Sequence, residues 1–282
     1  MVKHIIPNNL QEALNTLNAG PCHIMAGGTD LMIQKRNTAG TPPKFMKDVL
    51  YIANLEELNY VKKDGKRNCV LIGASSKLED ISHHPDVPNL LKDIIREIGS
   101  PGIRHSATLA GNIANASPAG DSLVALYLYD AEVVLSSVNG ERVLPISKFI
   151  TGVRRIDLRT NELIKEIIIP LLPVTKYKWV KVGGRRADSI SKVSFAGLYL
   201  VNFGLVSDIR FAFGSVSAMV ARSVELENSL KNRPIEQIIA DLPRILDESN
   251  KLIAPIDDQR SNKVYRRKVA TNIIESFING IQ

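Results

Sequence analysis

The stretch Thr108-Leu-Ala-Gly-Asn-Ile-Ala-Asn-Ala-Ser-Pro-Ala-Gly-Asp121 decides how the rest of the chain is read. It mixes small residues, glycines, amides and hydroxyls, and it closes on an acid. Thr108, Asn112, Asn115 and Ser117 offer side-chain hydrogen-bonding groups at short, irregular spacing. Ala107, Ala110, Gly111, Ala114 and Ala116 leave room for a flat or elongated ligand. Asp121 is suited to accept hydrogen bonds from a ribose or ribityl hydroxyl. So polar a run makes a poor core segment; its plain alternative is a loop bonded to itself.

Earlier in the chain, Ala26-Gly27-Gly28-Thr29-Asp30 follows the short apolar run Cys22–Ala26 and precedes a helical pattern. Glycine at such a strand-to-helix junction permits φ > 0 and close backbone approach. The helix start offers unpaired N–H groups and a positive dipole end, where a phosphate fits. Successive N–H groups around Gly27, Gly28 and Thr29 can form a nest for the same anion. Asp30 would repel a phosphate, so it is expected to cap local N–H groups. Neither G-x-G-x-x-G nor a P-loop Lys-Ser/Thr is present, and taken alone the turn also reads as an ordinary tight turn. Together the two stretches read as a two-sided cradle for a phosphate-bearing cofactor.

At 282 residues the chain has room for two or three lobes. Its 44% apolar content supports a normal core, and with 5% aromatics that core must be mostly aliphatic. Apolar runs such as Ile164–Ile169 are too short to span a bilayer, and the opening MVKHIIPNN lacks the apolar region of a signal peptide. A cytoplasmic protein without membrane insertion is expected. The two cysteines, Cys22 and Cys69, are far apart, which argues against a disulfide scaffold, a zinc site or an iron–sulfur site in this chain. No metal site is expected; His83-His84 before Pro85 read as a surface turn. A net charge of +7 points to an anionic partner. The basic residues are scattered, however, with small clusters at Arg185-Arg186 and Arg266-Arg267-Lys268, so nucleic acid is not expected.

Asn8 or Asn9 can cap a helix through Leu10, Ala13, Leu14 and Leu17. Strands are expected at Cys22–Ala26, Asp48–Ile52 and Val70–Gly73, with a short helix at Leu31–Arg36 and another from Lys77. Pro88–Ile98 is an amphipathic helix stopped by Gly99-Ser-Pro-Gly102. Ser122–Tyr129 reads as a helix begun by Asp121. Strands follow at Ala131–Ser136 and Leu163–Ile169. Pro170–Thr175 marks a boundary. Beyond it come strands at Tyr177–Val182, Val193–Phe203 and Ile209–Phe213, then helices at Ile235–Leu252 and Asn262–Ile278. The last carries Val264, Tyr265, Val269, Ile273 and Phe277 on one stripe. This end reads as an antiparallel sheet backed by helices, an α+β lobe.

Four segments carry a family resemblance over essentially the whole length. AGGTDLMIQ at 26–34 and IGSPGIRHSATLAGNIANASPAGDS at 98–122 resemble the two flavin loops of the FAD-binding medium subunit of the molybdenum hydroxylases, the xanthine dehydrogenase and carbon monoxide dehydrogenase type. YKWVKVGGRRADSISKVSFAG at 177–197 matches the segment that opens the C-terminal lobe, and IRFAFGSVSAMVARS at 209–223 a further element. His105 stands where Asn is common, and Ala110 where Gly is common.

The resemblance implies an α+β protein with a PCMH-type, vanillyl-alcohol-oxidase-like FAD-binding fold: subdomains at 1–55 and 56–172, then a C-terminal domain at 173–282. FAD would lie between the two subdomains. Ile24, Met25, Ala26, Gly27, Gly28, Thr29, Asp30 and Leu31 would line the first wall, with Gly27, Gly28 and Thr29 on the pyrophosphate. Ala107, Thr108, Ala110, Gly111, Asn112, Asn115, Ser117 and Asp121 would line the second. Leu163 or Ile164 would sit near the adenine or flavin edge, and Lys181 would approach the isoalloxazine. The bland alternatives are a core Ile164 and a solvated Lys181. No side chain need act as acid or base, because the flavin carries the chemistry.

The implied partners are a small subunit with two [2Fe–2S] clusters and a large molybdopterin subunit, in a dimer of heterotrimers with NAD+ as acceptor. Within the family the chain looks nearest to xanthine dehydrogenase subunits, which points to a purine-type substrate. An aldehyde-, nicotinate- or CO-oxidising relative is the alternative within the family. A non-redox anion-binding assembly module is the alternative outside it. A stand-alone oxidase with covalent FAD is disfavoured, because only Cys22, His23 and His105 stand near the loops.

Overall fold

The Asn9 side chain accepts from the Glu12 backbone N–H at 2.8 Å and starts α1 (Leu10–Ala19), which buries Ala13, Leu14 and Leu17 and ends at Gly20. A computed structural model of the chain describes residues 2–282 in two compact units, here numbered in chain order. Among the described residues, one comprises 2–88, 99–116 and 130–171; the other comprises 89–98, 117–129 and 172–282.

The first unit opens with β1 (His4–Ile5), α1, β2 (His23–Met25), α2 (Leu31–Gln34) and β3 (Val49–Tyr51). The three strands form a parallel sheet of order β1-β3-β2. A five-stranded antiparallel sheet follows, of order β4-β5-β10-β6-β7. It is built from β4 (Val61–Asp64), β5 (Cys69–Gly73), β6 (Glu132–Ser137), β7 (Gly140–Pro145) and β10 (Leu163–Pro170). Its centre is aliphatic: Val70, Ile72, Val133, Ile167 and Ile169 are fully buried. The edge strands β4 and β7, Val-Lys-Lys-Asp and Gly-Glu-Arg-Val-Leu-Pro, carry no strand signal in the sequence. Each pairs on one side only, and exposed charges there protect an open edge. The unit also holds α3 (Leu78–His83), α5 (Pro101–Arg104), α6 (Leu109–Asn115), α8 (Ile146–Phe149) and the small β8 (Ile150–Gly152) with β9 (Arg155–Ile156).

The second unit is built on an antiparallel sheet of order β11-β12-β13-β14. Its strands are β11 (Lys176–Val182), β12 (Val193–Asn202), β13 (Leu205–Gly214) and β14 (Arg233–Pro234). Its helices are α4 (Asn89–Arg96), α7 (Asp121–Leu128), α9 (Val224–Leu230), α10 (Ile235–Ala240), α11 (Leu242–Leu252) and α12 (Lys263–Ile278). Phe195 and Phe211 pack against Phe277 of α12 and Phe213 packs against Phe195, with ring centroids 5.1–6.2 Å apart. Gly197 makes space for it, since a Cβ there would lie 2.7 Å from ring carbons of Phe277.

Two helix expectations need correction. The single helix at 235–252 is two, broken at Asp241. Pro243, in the first turn of α11, has no N–H to bond back and its ring crowds the preceding turn. On α12 the apolar stripe does not begin at Val264 and Tyr265, which are 73% and 43% exposed. The first turn instead buries Arg266, whose guanidinium donates to the Ser215 carbonyl at 3.0 Å and to Asp258 at 2.5 Å. The buried face continues through Ala270, Ile273, Ile274, Phe277 and Ile278.

Candidate functional site: two glycine turns and a buried ion pair

In the first unit, β2 runs parallel to β3 with Ile24 beside Leu50 and Met25 beside Tyr51, both half-buried. The chain leaves the strand at Ala26 and turns through Gly28, whose φ of +71° suits glycine. Among the described residues no acceptor meets the backbone N–H groups of Gly27, Gly28, Thr29, Asp30 and Leu31. Five consecutive donors are thus left to a ligand or water. A Cβ at Gly27 would lie 2.1 Å from the Ser106 carbonyl oxygen and 2.8 Å from the Ala107 Cα, so the two glycine-rich stretches meet backbone to backbone. The Ser106 hydroxyl donates to the Gly27 carbonyl at 2.9 Å. Asp30 departs from expectation: its side chain caps nothing, and it is exposed. Loss of surrounding water raises its carboxyl above the ordinary value, and Arg154 opposes that shift.

The second stretch is largely a helix. The Thr108 hydroxyl accepts from the Gly111 N–H at 3.0 Å and the Thr108 carbonyl from the Asn112 N–H at 3.0 Å, which starts α6. Ala116, at φ 44°, ends it in the left-handed region. The polar spacing is therefore that of a short capped helix, and Thr108 is spent on its own cap. Ala107, Thr108 and Ala110 are buried. Gly111 is exposed, and only the Thr108 hydroxyl lies within 4 Å of where its Cβ would stand. Asn115 accepts from Gln34 at 2.8 Å, joining α6 to α2. The Ser117 hydroxyl accepts from the Ala119 N–H at 3.2 Å. α6 packs on β10, where Ile164 is buried opposite Leu135.

In the second unit, alternate residues of β11 all bond to α4 or the turn after it. Tyr177 donates to Asp93 at 2.7 Å, Trp179 to the Glu97 carboxylate at 3.1 Å and Lys181 to the Glu97 carbonyl at 2.6 Å. Burial, then Asp93, pushes the Tyr177 phenol up to about 12. The Lys181 ammonium also lies 2.8 Å from the Asp121 carboxylate, with both side chains less than a tenth exposed. The other Asp121 oxygen accepts from the Ser191 hydroxyl at 2.6 Å. Gly214 lets α7 close on this end of the sheet, since a Cβ there would lie 2.8 Å from Val124 and 2.4 Å from the Ser194 hydroxyl.

Ser106 and Ser191 escaped the sequence reading, although both stand inside the quoted motifs. The usable signal was position: each sits next to a flavin-loop or lobe-opening residue. Cys22 and Cys69 are free thiols raised by burial. Among the described residues no cluster of His, Cys, Asp or Glu is placed to hold a metal, and no helix is long and apolar enough to cross a membrane.

Comparison with known proteins matches residues 1–172 to the FAD binding domain in molybdopterin dehydrogenase and residues 178–281 to the CO dehydrogenase flavoprotein C-terminal domain. The chain is 31% identical to the glyceraldehyde dehydrogenase medium chain of Sulfolobus acidocaldarius, over 94% of this chain and 93% of that one. It is 27% identical to the xanthine dehydrogenase FAD-binding subunit of Escherichia coli O157:H7, over 96% and 92%. In fold it resembles a chain of the carbon monoxide dehydrogenase of Hydrogenophaga pseudoflava, with a TM-score of 0.84 at 24% identity over 98% and 95% of the two chains. Two glycine turns meeting backbone to backbone, on a domain of this type with this C-terminal lobe, place the chain among the FAD-binding medium subunits of the molybdenum hydroxylase family.

Proposed function

We propose that this chain is the electron-output subunit of a cytoplasmic molybdenum hydroxylase, assembled as a dimer of heterotrimers. Its partners are a small subunit with two [2Fe–2S] clusters and a large molybdopterin subunit that oxidises a purine-type substrate. NAD+ is the acceptor. Bound FAD would supply the coupling between electrons arriving singly and a pair leaving together. The functional division follows residues 1–55, 56–172 and 173–282.

One observation carries the reading: five consecutive N–H groups, Gly27 to Leu31, have no acceptor among the described residues, in a loop that tolerates no Cβ at Gly27. A pyrophosphate supplies the oxygens and negative charge that such a nest lacks. We assign Ile24 to Leu31 to one wall. Ala107, Thr108, Ala110, Gly111, Asn112, Asn115 and Ser117, with Ile164, form the other. Thr108 acts there through the helix it caps. Exposed Gly111 leaves its side open to a ligand. We assign Asp121 to cofactor hydroxyls and Lys181 to the isoalloxazine. Asp121 and the Glu97 carbonyl fix the position of the Lys181 ammonium, which supports its assignment to a defined place at that end of the sheet.

The test is purification of the tagged full chain with whatever assembles on it, read as flavin absorbance, iron content and NADH formation with hypoxanthine. One FAD per chain, stoichiometric iron and hypoxanthine-dependent NADH are expected. A folded, colourless protein that takes up no added FAD would sink the reading in favour of an anion-binding assembly module. Reduction of oxygen, quinone or ferredoxin in place of NAD+ would overturn the acceptor alone. The higher identity to the glyceraldehyde dehydrogenase chain favours a second reading, an aldehyde as substrate; glyceraldehyde in the same assay separates the two.

A further inference from the structure

After α2 the chain doubles back on itself. The Lys44 N–H donates to the Lys35 carbonyl at 2.7 Å, pinning the ends of the loop between them. Phe45 then anchors the return, 9% exposed, with its ring 6.4 Å from that of His4 and 5.5 Å from that of His23. On both sides of this anchor apolar side chains face outward: Ile33 is 67% exposed, Met46 85% and Met32 41%. From Leu31 to Lys47 the sequence holds Lys35, Arg36, Lys44 and Lys47 and no acid. None of these four has an ion-pair partner among the described residues. Burial and then the charges of Lys35 and Lys47 push the His23 imidazole down, so both lysines stand near enough to His23 to act on it. The loop encloses a surface hollow of about 510 Å³ lined by Met32, Arg36, Asn37, Thr38, Thr41 and Pro43.

Uncompensated positive charge around exposed methionine and isoleucine is a recognition surface. We infer that the Leu31–Lys47 loop docks an acidic face of the iron–sulfur subunit, with the exposed Ile33 and Met46 as its apolar contacts. The inference rests on the heteromeric assembly proposed above. Charge selects the partner: a second copy of this chain would bring the same lysines and be repelled, whereas an acidic face is steered in.

The test uses the complex purified through a tag on the full chain, read as iron per FAD. In K35E/R36E/K44E/K47E that ratio is expected to fall by about ten-fold or more, and the wild-type complex is expected to shed iron–sulfur subunit as NaCl rises. Ile33→Ser with Met46→Ser is expected to lower the ratio through the apolar contact. In both variants FAD per chain and melting temperature stay at wild-type values. Wild-type iron in both variants overturns the proposal. Loss of FAD from either also overturns it, because the hollow would then belong to the cofactor. Binding of the wild-type chain to phosphatidylserine vesicles, abolished by the charge reversal while iron is retained, would reassign the loop to a membrane surface. A wild-type preparation without any iron–sulfur subunit defeats the assembly reading itself, and this proposal with it.

Discussion

Lys181 and Asp121 form a 2.8 Å ion pair with both side chains less than a tenth exposed, and Ser191 occupies the second carboxylate oxygen. Removing one member leaves the other as an uncompensated buried charge. Asp121→Ala is expected to destabilise the protein by about 3–5 kcal/mol, whereas Asp121→Leu with Lys181→Met should stay close to wild type. Urea unfolding of the three proteins decides this. If the pair also serves the cofactor, the double variant folds but binds FAD more weakly, by about 1–3 kcal/mol for lost buried hydrogen bonds.

Gly27 and Gly111 separate the two walls experimentally. Gly27→Ala drives a Cβ into the Ser106 carbonyl, so the backbones must part and stability should fall by about 1–3 kcal/mol along with FAD retention. Gly111→Val adds volume on the exposed side of α6, with its Cβ 3.0 Å from the Thr108 hydroxyl that caps the helix. It should abolish FAD retention while the melting temperature changes far less than in Gly27→Ala. Flavin-to-protein absorbance against a thermal melt reads both effects; full flavin content in Gly111→Val would remove that residue from the site.

The break between α10 and α11 gives the acid response a local origin. Asp241 accepts from Arg233 at 2.8 Å and Arg244 at 2.7 Å, and these hydrogen bonds lower its carboxyl to about 2. A folded-state pKa below the unfolded value stabilises above the unfolded pKa, about 4, and that contribution fades as pH falls through the folded one. Wild type should therefore lose up to about 2 kcal/mol between pH 4 and pH 2 from this residue. Asp241→Asn should be less stable at neutral pH and show a flatter acid limb. Denaturant midpoints across that range measure it, and equal slopes in the two proteins would refute the assignment.

Gly197 faces the Phe277 ring so closely that even a methyl group must displace it. Gly197→Ala is expected to cost about 1–3 kcal/mol through overpacking. Phe277→Ala, which leaves a cavity among three other rings, should cost about 3–5 kcal/mol. The combination should cost less than the sum, because the two residues share one space.

Much of the architecture was legible where local signals agreed. The Asn9 cap with apolar residues at 10, 13, 14 and 17 gives α1 its place. The aliphatic runs of β5 and β10 read as strands because central strands bury both faces. α6 was hidden because Gly111, Asn112 and Asn115 are poor helix formers, and Thr108 resembled a ligand group when it was a cap. The register of α12 was hidden because burial of Arg266 depends on Ser215 and Asp258, distant in sequence. Within the candidate site, both glycine turns stood out as motifs. The union of Asp121 with Lys181 and Ser191 did not, since no periodicity links residues brought together by tertiary contact. Asp30 was expected to cap, but the turn leaves its N–H groups open instead.

The Ser106–Gly27 hydrogen bond joins residues 79 positions apart. Closing so long a span costs chain entropy that is recovered only once the intervening segments are in place. The donors of the first turn therefore acquire their opposing wall late in folding. If the two turns hold the cofactor as proposed, a nascent or truncated chain ending before Ser106 has half a cradle, and flavin uptake then marks completed folding, with unfinished chains colourless even where FAD is plentiful.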